Sequence, residues 1–345
     1  MSEELDNGTE VAQFELVTFE KIKEQFVADL VQKPYDLWQV GLSNSARLYI
    51  EFVEGDSPRY YWGTTTAGAL IPKGKNFDIW RDKMGRERAL EIFRCRSVYG
   101  TFMHTEFANW WINGSRPNRQ IQSDLKQHMH AHEVNMSLYN EGYVGKIGWG
   151  EEIIKDVMAH TKWALDYDIE PVAIELALRS YEYGIASRLD LVHYCNDKNY
   201  KKTEKEKRGR HLAYTDWKSG KSGFFKENVI QANYCVRIWN ENYPDNQITQ
   251  CYNFAPKEFK TNSEKPYLFT NQTGKVTDDR LLALSIIGKE DMKSFIQKSR
   301  LMMPLEFERG VNPNDAVIET SIHELVESGK WAEYSVQPDM SEILL

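Results

Sequence analysis

The sequence predicts a mixed α/β (α+β) fold, a sheet flanked by helices with its central strands in the middle of the chain. Three observations carry this expectation. Apolar Val172, Ile174, Leu176 and Leu178 alternate with Ala173, Glu175 and Ala177, which is the period of a strand. Two further strand-like runs, Ile185–Tyr194 and His211–Lys218, follow closely. Segments with three- and four-residue apolar spacing lie on either side, which is the period of a helix.

The elements can be justified in order. Leu16, Phe19, Ile22, Phe26 and Leu30 give one apolar stripe and predict a first helix over Leu16–Gln32. Ala46–Val53 reads as a strand, and Tyr60–Gly63 leads into Thr64–Thr66. Helices are predicted over Asn76–Arg96 and Gly100–Trp111, with a break at Asn113–Pro117. Two more fit Ile121–Tyr139 and Glu151–Leu165. The strand containing Val172 to Leu178 then turns at Tyr181–Gly184 into Ile185–Tyr194. A polar stretch, Asn196–Arg210, leads to His211–Lys218, which Ser219 and Gly220 terminate. Phe225, Val229, Ala232, Val236 and Trp239 stripe a helix over Phe224–Asn240, and Gln247–Phe254 is a fourth strand closed by Pro256. Strands so close in sequence should form an antiparallel meander, after which the helix crosses to the fourth strand. The C-terminal part, with helices near Asp278–Ser299 and Asp315–Ser328, reads as an appendage. The expected division is therefore an N-terminal helical extension over 1–45, a core over 46–256 and a C-terminal helical appendage over 257–345.

Composition narrows the class. Of 345 residues, 41% are hydrophobic and 12% aromatic, enough for a sizeable core and too many for wholesale disorder. No apolar run reaches the ~18 residues of a membrane helix. The stretch Met1 to Asn7 is acidic and polar, unlike a signal or transit peptide. Cys95, Cys195, Cys235 and Cys251 are scattered, without zinc-ribbon or iron–sulfur spacing. A soluble protein of the reducing cytoplasm is the expectation. The formal net charge of −8 argues against a nucleic-acid partner on average, but averages hide patches.

Register carries the chemistry. If Tyr181–Gly184 is a hairpin tip, Ser180 opposes Ile185 and Glu175 opposes Asp190. If the next connection is centred near Thr203, Asp190 opposes Asp216. Opposed residues share a face with Cβ atoms ~4.5–5.5 Å apart. Lys218 lies two residues beyond Asp216, on the same face. Three neighbouring carboxylates repel unless a cation neutralises them, and hard oxygen ligands suit Mg²⁺ or Mn²⁺ rather than zinc. A lysine beside such ions can hold a water or stabilise a phosphorane-like transition state. The pattern reads as a metal-dependent phosphodiesterase. Any one of these acids alone would be an ordinary solvated residue of a sheet.

These residues resemble the PD-(D/E)XK nuclease superfamily, and within it the RecB-like exonuclease branch that includes phage exonucleases and the mitochondrial genome maintenance exonuclease. The matching positions are Gly100 with His104; Ile174-Glu175; Leu189-Asp190; Asp216-Trp217-Lys218-Ser219; and Gln231 with Tyr234. Upstream, Tyr61 to Leu70 is similar to the branch's Thr-Thr segment, with Trp80 placed like its following Trp. The resemblance spans about residues 46 to 256. It implies a restriction-endonuclease-like αβββαβ core and one or two Mg²⁺ or Mn²⁺ ions held by Glu175, Asp190 and Asp216. It also implies a water positioned by Lys218, His104 facing the ions or the scissile phosphate, and Gln231 and Tyr234 on the carboxylates or DNA. A phage or bacterial role in DNA recombination, repair or processing is likewise implied. The sequence departs from the pattern in places. The Gln–Tyr spacing is one residue short, the Pro-Ser before the Thr-Thr segment is missing, and the link between the second and third strands is long. The cysteine cluster of iron–sulfur members is absent, so no cluster is expected.

Other features are weighed beside this. His128, His130 and His132 would put only His128 and His132 on one helix face, and no third ligand is evident, so a solvated or DNA-facing helix is expected rather than a zinc site. The polar link holds Lys198, Lys201, Lys202, Lys205, Lys207, Arg208 and Arg210 against Asp197, Glu204 and Glu206, a local charge of +4. Such runs are usually solvated. Lying between two ligand strands, this one reads as a flap gripping phosphates, extended by Lys221 and Lys226. Tyr60-Tyr61-Trp62 and Trp110-Trp111 could stack bases, though burial is the expectation for most aromatics. The reading is a metal-dependent DNA exonuclease acting on single strands or duplex ends. Its alternatives are a structure-selective endonuclease on the same core and a catalytically silent DNA-binding protein.

Overall fold

A computed structural model describes residues 36–41, 47–55, 59–71, 75–134, 148–197, 211–220, 224–257, 265–298, 300–302 and 317–321. The predicted helix over Leu16–Gln32, most of the 1–45 extension, the basic link over 198–210 and Lys221 lie outside these residues.

The strands are β1 (Asp36–Gly41), β2 (Arg47–Phe52), β3 (Arg59–Gly63), β4 (Glu170–Ser180), β5 (Ile185–Cys195), β6 (His211–Trp217), β7 (Gln250–Pro256), β8 (Tyr267–Asn271), β9 (Arg300–Met302) and β10 (Val317–Ser321). The helices are α1 (Thr64–Ala69), α2 (Lys75–Met84), α3 (Arg86–Asn113), α4 (Asn118–Ala131), α5 (Trp149–Asp166), α6 (Lys226–Asn242) and α7 (Asp278–Lys298). None of the described helices is long and apolar enough to cross a membrane.

Eight strands form one mixed open sheet, and β9 pairs with β10 separately. The middle of the large sheet follows the expected order. β4, β5 and β6 are an antiparallel meander, and α6 crosses over to place β7 parallel to β6. β5 is long enough to serve several neighbours. β4 runs along one edge, while β3 and β6 share the other edge at opposite ends. β1 and β2 extend the sheet beyond β3, and β8 extends it beyond β7.

Helices cover both faces. On one, α1, α6 and α7 bury Ala67, Ile230, Tyr234, Ile238, Leu281 and Leu284 against Leu178, Leu189, Val192 and Tyr214. On the other, α3, α4 and α5 bury Tyr99, Phe107, Leu125, Ile153 and Trp163 against Ile174, Leu191, Trp217 and Phe254. Two residues apart on a regular strand share a face, yet Ile174 and Leu176 enter opposite cores, as do Leu191 and Leu189. Both strands change face at the level of Glu175 and Asp190. Glu175 has a φ of +51°, the left-handed conformation that reverses the side-chain sequence on β4.

Several boundaries differ from expectation. The two predicted helices over 76–111 divide at Gly85, whose φ of +82° suits glycine, and Gly100 lies inside the continuous helix α3. α6 buries Ile230, Tyr234 and Ile238, whereas Phe225 at the predicted stripe's start is exposed. The C-terminal part is not simply helical. Residues 267–271 are a strand of the main sheet, and Val317–Ser321, inside the predicted Asp315–Ser328 helix, is also a strand. α7 docks closely on the sheet: the Trp62 indole N–H donates to the Gly288 carbonyl.

Candidate metal centre

The site forms where the meander's strands converge between α3 and α6. The observed register is the predicted one. Ser180 opposes Ile185, Ile174 and Leu176 oppose Leu191 and Leu189, and so Glu175 sits level with Asp190. On the other edge Leu191 opposes Thr215, which sets Asp190 level with Asp216.

α3 supplies His104, and Gly100 explains how it can. A Cβ at Gly100 would stand 2.9 Å from Ser219 Oγ, so a larger residue there would displace the Ser219 hydroxyl where the helix meets the end of β6. His104 is one turn later, on the same helix face. Its Nδ1 lies 3.7 Å from Glu175 Oε1 and 3.6 Å from Asp190 Oδ1. The ring stands edge-on to Trp217, with centroids 5.8 Å apart. Asp190 Oδ2 accepts the Trp217 backbone N–H at 2.7 Å.

Lys218 continues β6 by donating its backbone N–H to Phe254 O at 2.8 Å. Its Nζ donates to Asp216 Oδ1 at 2.9 Å and to Gln231 Oε1 of α6 at 2.9 Å. Asp216 Oδ2 is 2.7 Å from the same ammonium as an ion contact, but it is buried and makes no hydrogen bond.

Electrostatics separate the groups. Burial pulls the His104 imidazole down, but Asp190 and Glu175 outweigh it and push it up to about 10. Burial alone would raise Asp190; the charge and hydrogen bond of His104, with Lys218 and the Trp217 N–H, hold it below the usual carboxylate range. Asp216 is pushed up to about 7, chiefly by burial and further by Asp190, against the opposing charge of Lys218. A buried, crowded pair of carboxylates is a place where positive charge is favourable.

Three of these side chains could hold a metal ion. His104, Glu175 and Asp190 each offer one ligand atom within 4.8 Å of the others, and they are the one such group of three among the described residues. Asp216, level with Asp190 on the next strand, adds a further buried carboxylate that feels the charges of Asp190 and His104. Two carboxylates and an imidazole at this spacing could hold a metal ion, with the imidazole as a ligand or a proton-bearing neighbour.

The structure therefore brings together Glu175, Asp190, Asp216, Lys218, His104 and Gln231. It does not bring Tyr234. That side chain is fully buried, donates to Leu281 O at 2.6 Å and lies 2.9 Å from Ser285 Oγ, so it anchors α7 rather than facing DNA. Gln231, three residues earlier on α6, is only partly buried and reaches Lys218 instead. Lys201, Lys202, Lys205, Lys207, Arg208, Arg210 and Lys221 are outside the described residues. Asp197, counted with the basic link, is buried and accepts the Tyr252 hydroxyl at 3.1 Å. His128 and His132 lie ring to ring at 4.5 Å, and burial lowers both imidazoles.

Sequence reasoning missed Arg188. Its Nε lies 3.9 Å from Glu175 Oε2, so a third cation borders the cluster. Its position two residues before Asp190 on the same strand was the available signal.

No protein-family model matches this chain, and a search of curated proteins finds no match.

Proposed function

We propose that the chain is a divalent-metal-dependent deoxyribonuclease of the PD-(D/E)XK, RecB-like kind, acting as an exonuclease on DNA ends. The observation that supports this most is the placement of Lys218. Its ammonium joins Asp216 to Gln231 beside the cluster of His104, Glu175 and Asp190. A structural ion pair needs neither the second cluster nor a glutamine reaching from another element.

Glu175, Asp190 and Asp216 would hold Mg²⁺ or Mn²⁺, as one or two ions. A bound ion would neutralise phosphate charge and acidify a coordinated water. The protein's own groups do the rest. An ammonium has three donors; Lys218 uses two on Asp216 and Gln231, leaving one for the attacking water. Gln231 accepts from Lys218 through Oε1, which leaves its amide NH₂ for a phosphate oxygen. His104, charged between two carboxylates, faces the position of a phosphodiester brought to the cluster. Hydrolysis would form a bond from the water oxygen to phosphorus and break the bond to the leaving 3′-oxygen, which takes up a proton. Arg188 adds a positive group at the rim for the DNA backbone.

The test is cleavage of end-labelled linear DNA, single- and double-stranded, with Mg²⁺ or Mn²⁺ and with chelator. Metal-dependent release of nucleotides from ends is the expected result. Binding without cleavage would overturn the proposal, and cleavage of closed circles at the same rate would replace exonuclease with endonuclease.

A further inference from the structure

Asn253 stands on β7 in register with Asp216 on β6. Strand neighbours in register point to the same face. Packing two residues earlier confirms the direction: Tyr214 and Cys251 both enter the core under α6, whereas Trp217, Tyr252 and Phe254 enter the opposite one. Asn253 is fully buried, and neither its Oδ1 nor its Nδ2 has a hydrogen-bond partner. The neighbouring Asp216 Oδ2 is buried, with the Lys218 ammonium 2.7 Å away as an ion contact. Thr270 continues the row on β8.

A buried amide with both atoms unpaired is costly, and an apolar residue of similar volume would be the cheaper occupant of a structural position. The two unpaired atoms of Asn253 and the buried Asp216 Oδ2, on adjacent strands, provide the two to four partners that a buried water needs. We propose that Asn253 is a positioning residue of the metal centre, which fixes the Asp216 carboxylate from the neighbouring strand through a shared buried water. Lys218 Nζ reaches both Asp216 oxygens, 2.9 Å from Oδ1 and 2.7 Å from Oδ2; Asn253 would fix the same carboxylate from β7. The inference rests on the metal-centre reading above and deepens it, since no motif of the sequence singles out Asn253.

The test uses the full-length chain and Mn²⁺ alone. Mn²⁺ affinity is measured by calorimetry for the wild type, Asn253→Leu and Asn253→Thr, with thermal midpoints recorded in the absence of metal. Loss of a group that orients a ligand typically weakens metal binding about 10- to 100-fold. Asn253→Leu should therefore weaken Mn²⁺ binding at least about tenfold while keeping or raising the midpoint. Asn253→Thr, which retains a hydroxyl for the water, should recover most of the affinity. Unchanged Mn²⁺ affinity in Asn253→Leu would overturn the inference while leaving the metal centre intact. If Asn253→Leu does not fold, Asn253→Ala decides by the same criterion. A wild type that binds no Mn²⁺ would overturn the metal-centre reading itself, and this inference with it.

Discussion

Asp190 Oδ2 accepts the backbone N–H of Trp217 at 2.7 Å, so the carboxylate of one strand is held by the main chain of the next. The bond lies beyond the last paired residues of β5 and β6, Leu191 and Thr215. It satisfies a buried donor and turns Oδ1 toward His104. One residue thus closes the sheet and aims a ligand.

That dual role separates two substitutions. Asp190→Asn keeps an acceptor for Trp217 but removes the charge, so it should fold normally and lose at least about 100-fold in cleavage rate. Asp190→Ala also leaves the Trp217 N–H unpaired, which should cost a further ~1–3 kcal/mol of stability. Urea unfolding and single-turnover cleavage measure the two effects. Equal stability of both variants would show that the hydrogen bond carries nothing.

Lys218→Met removes the ammonium shared by Asp216 and Gln231 and should slow cleavage about 10²- to 10⁴-fold at saturating metal. Gln231→Leu leaves the ammonium but not its second anchor, and a loss of about 10- to 100-fold is expected. A Gln231→Leu defect as large as that of Lys218→Met would give the amide a direct role on substrate.

Gly288→Ala tests whether α7 belongs to the core. The added Cβ would stand 2.7 Å from Trp62 Cδ1, a rigid and buried indole. Overpacking should cost ~1–3 kcal/mol, against a gain of ~1 kcal/mol in helix propensity. The control, Gly220→Ala, meets nothing within 4 Å and should be near neutral. Differential scanning calorimetry distinguishes them, and equal midpoints would mean that α7 is not seated on Trp62.

Acid should weaken the fold through two buried imidazoles. His160 stacks on Phe107 at 4.2 Å and is ringed by Trp110, Trp111, Trp163, Trp217 and Phe254. His193 lies 2.7 Å from Thr215 Oγ1. Burial lowers each from 6.5 to about 3. Below pH 6.5 the unfolded chain therefore binds protons that the folded chain refuses. Stability is full above that pH and falls as pH drops toward 3, by up to ~1.4 kcal/mol per pH unit for each imidazole. His160→Phe should flatten the dependence of unfolding free energy on pH between 6 and 4.5. An unchanged slope would mean that His160 is protonated in the native state.

Much of the site was legible because register is arithmetic. Once Ser180 is set opposite Ile185, alternation fixes Glu175 against Asp190 without further information. Gly100 and His104 were legible as a spacing, although the reason for the glycine, the closeness of Ser219, appears only in three dimensions. What was not legible depends on tertiary context. The change of face at Glu175 is a single backbone torsion, invisible to a period-two pattern. Tyr234 is polar at its tip and could face either way; only the arrival of α7 with Leu281 and Ser285 decides that it points inward. Asn253 carries no pattern of its own, and β8 is short enough to escape a period reading.

The central claim is that Glu175, Asp190, Asp216 and Lys218 form a metal-dependent nuclease centre. The most direct measurement follows end-labelled linear DNA with Mg²⁺ or Mn²⁺, comparing the wild type with a folded Asp216→Asn variant. The wild type should release nucleotides only with metal, and the variant should bind DNA but release at least about 100-fold less. Wild-type protein that binds DNA without cleaving it, or an Asp216→Asn variant with full activity, would contradict the account.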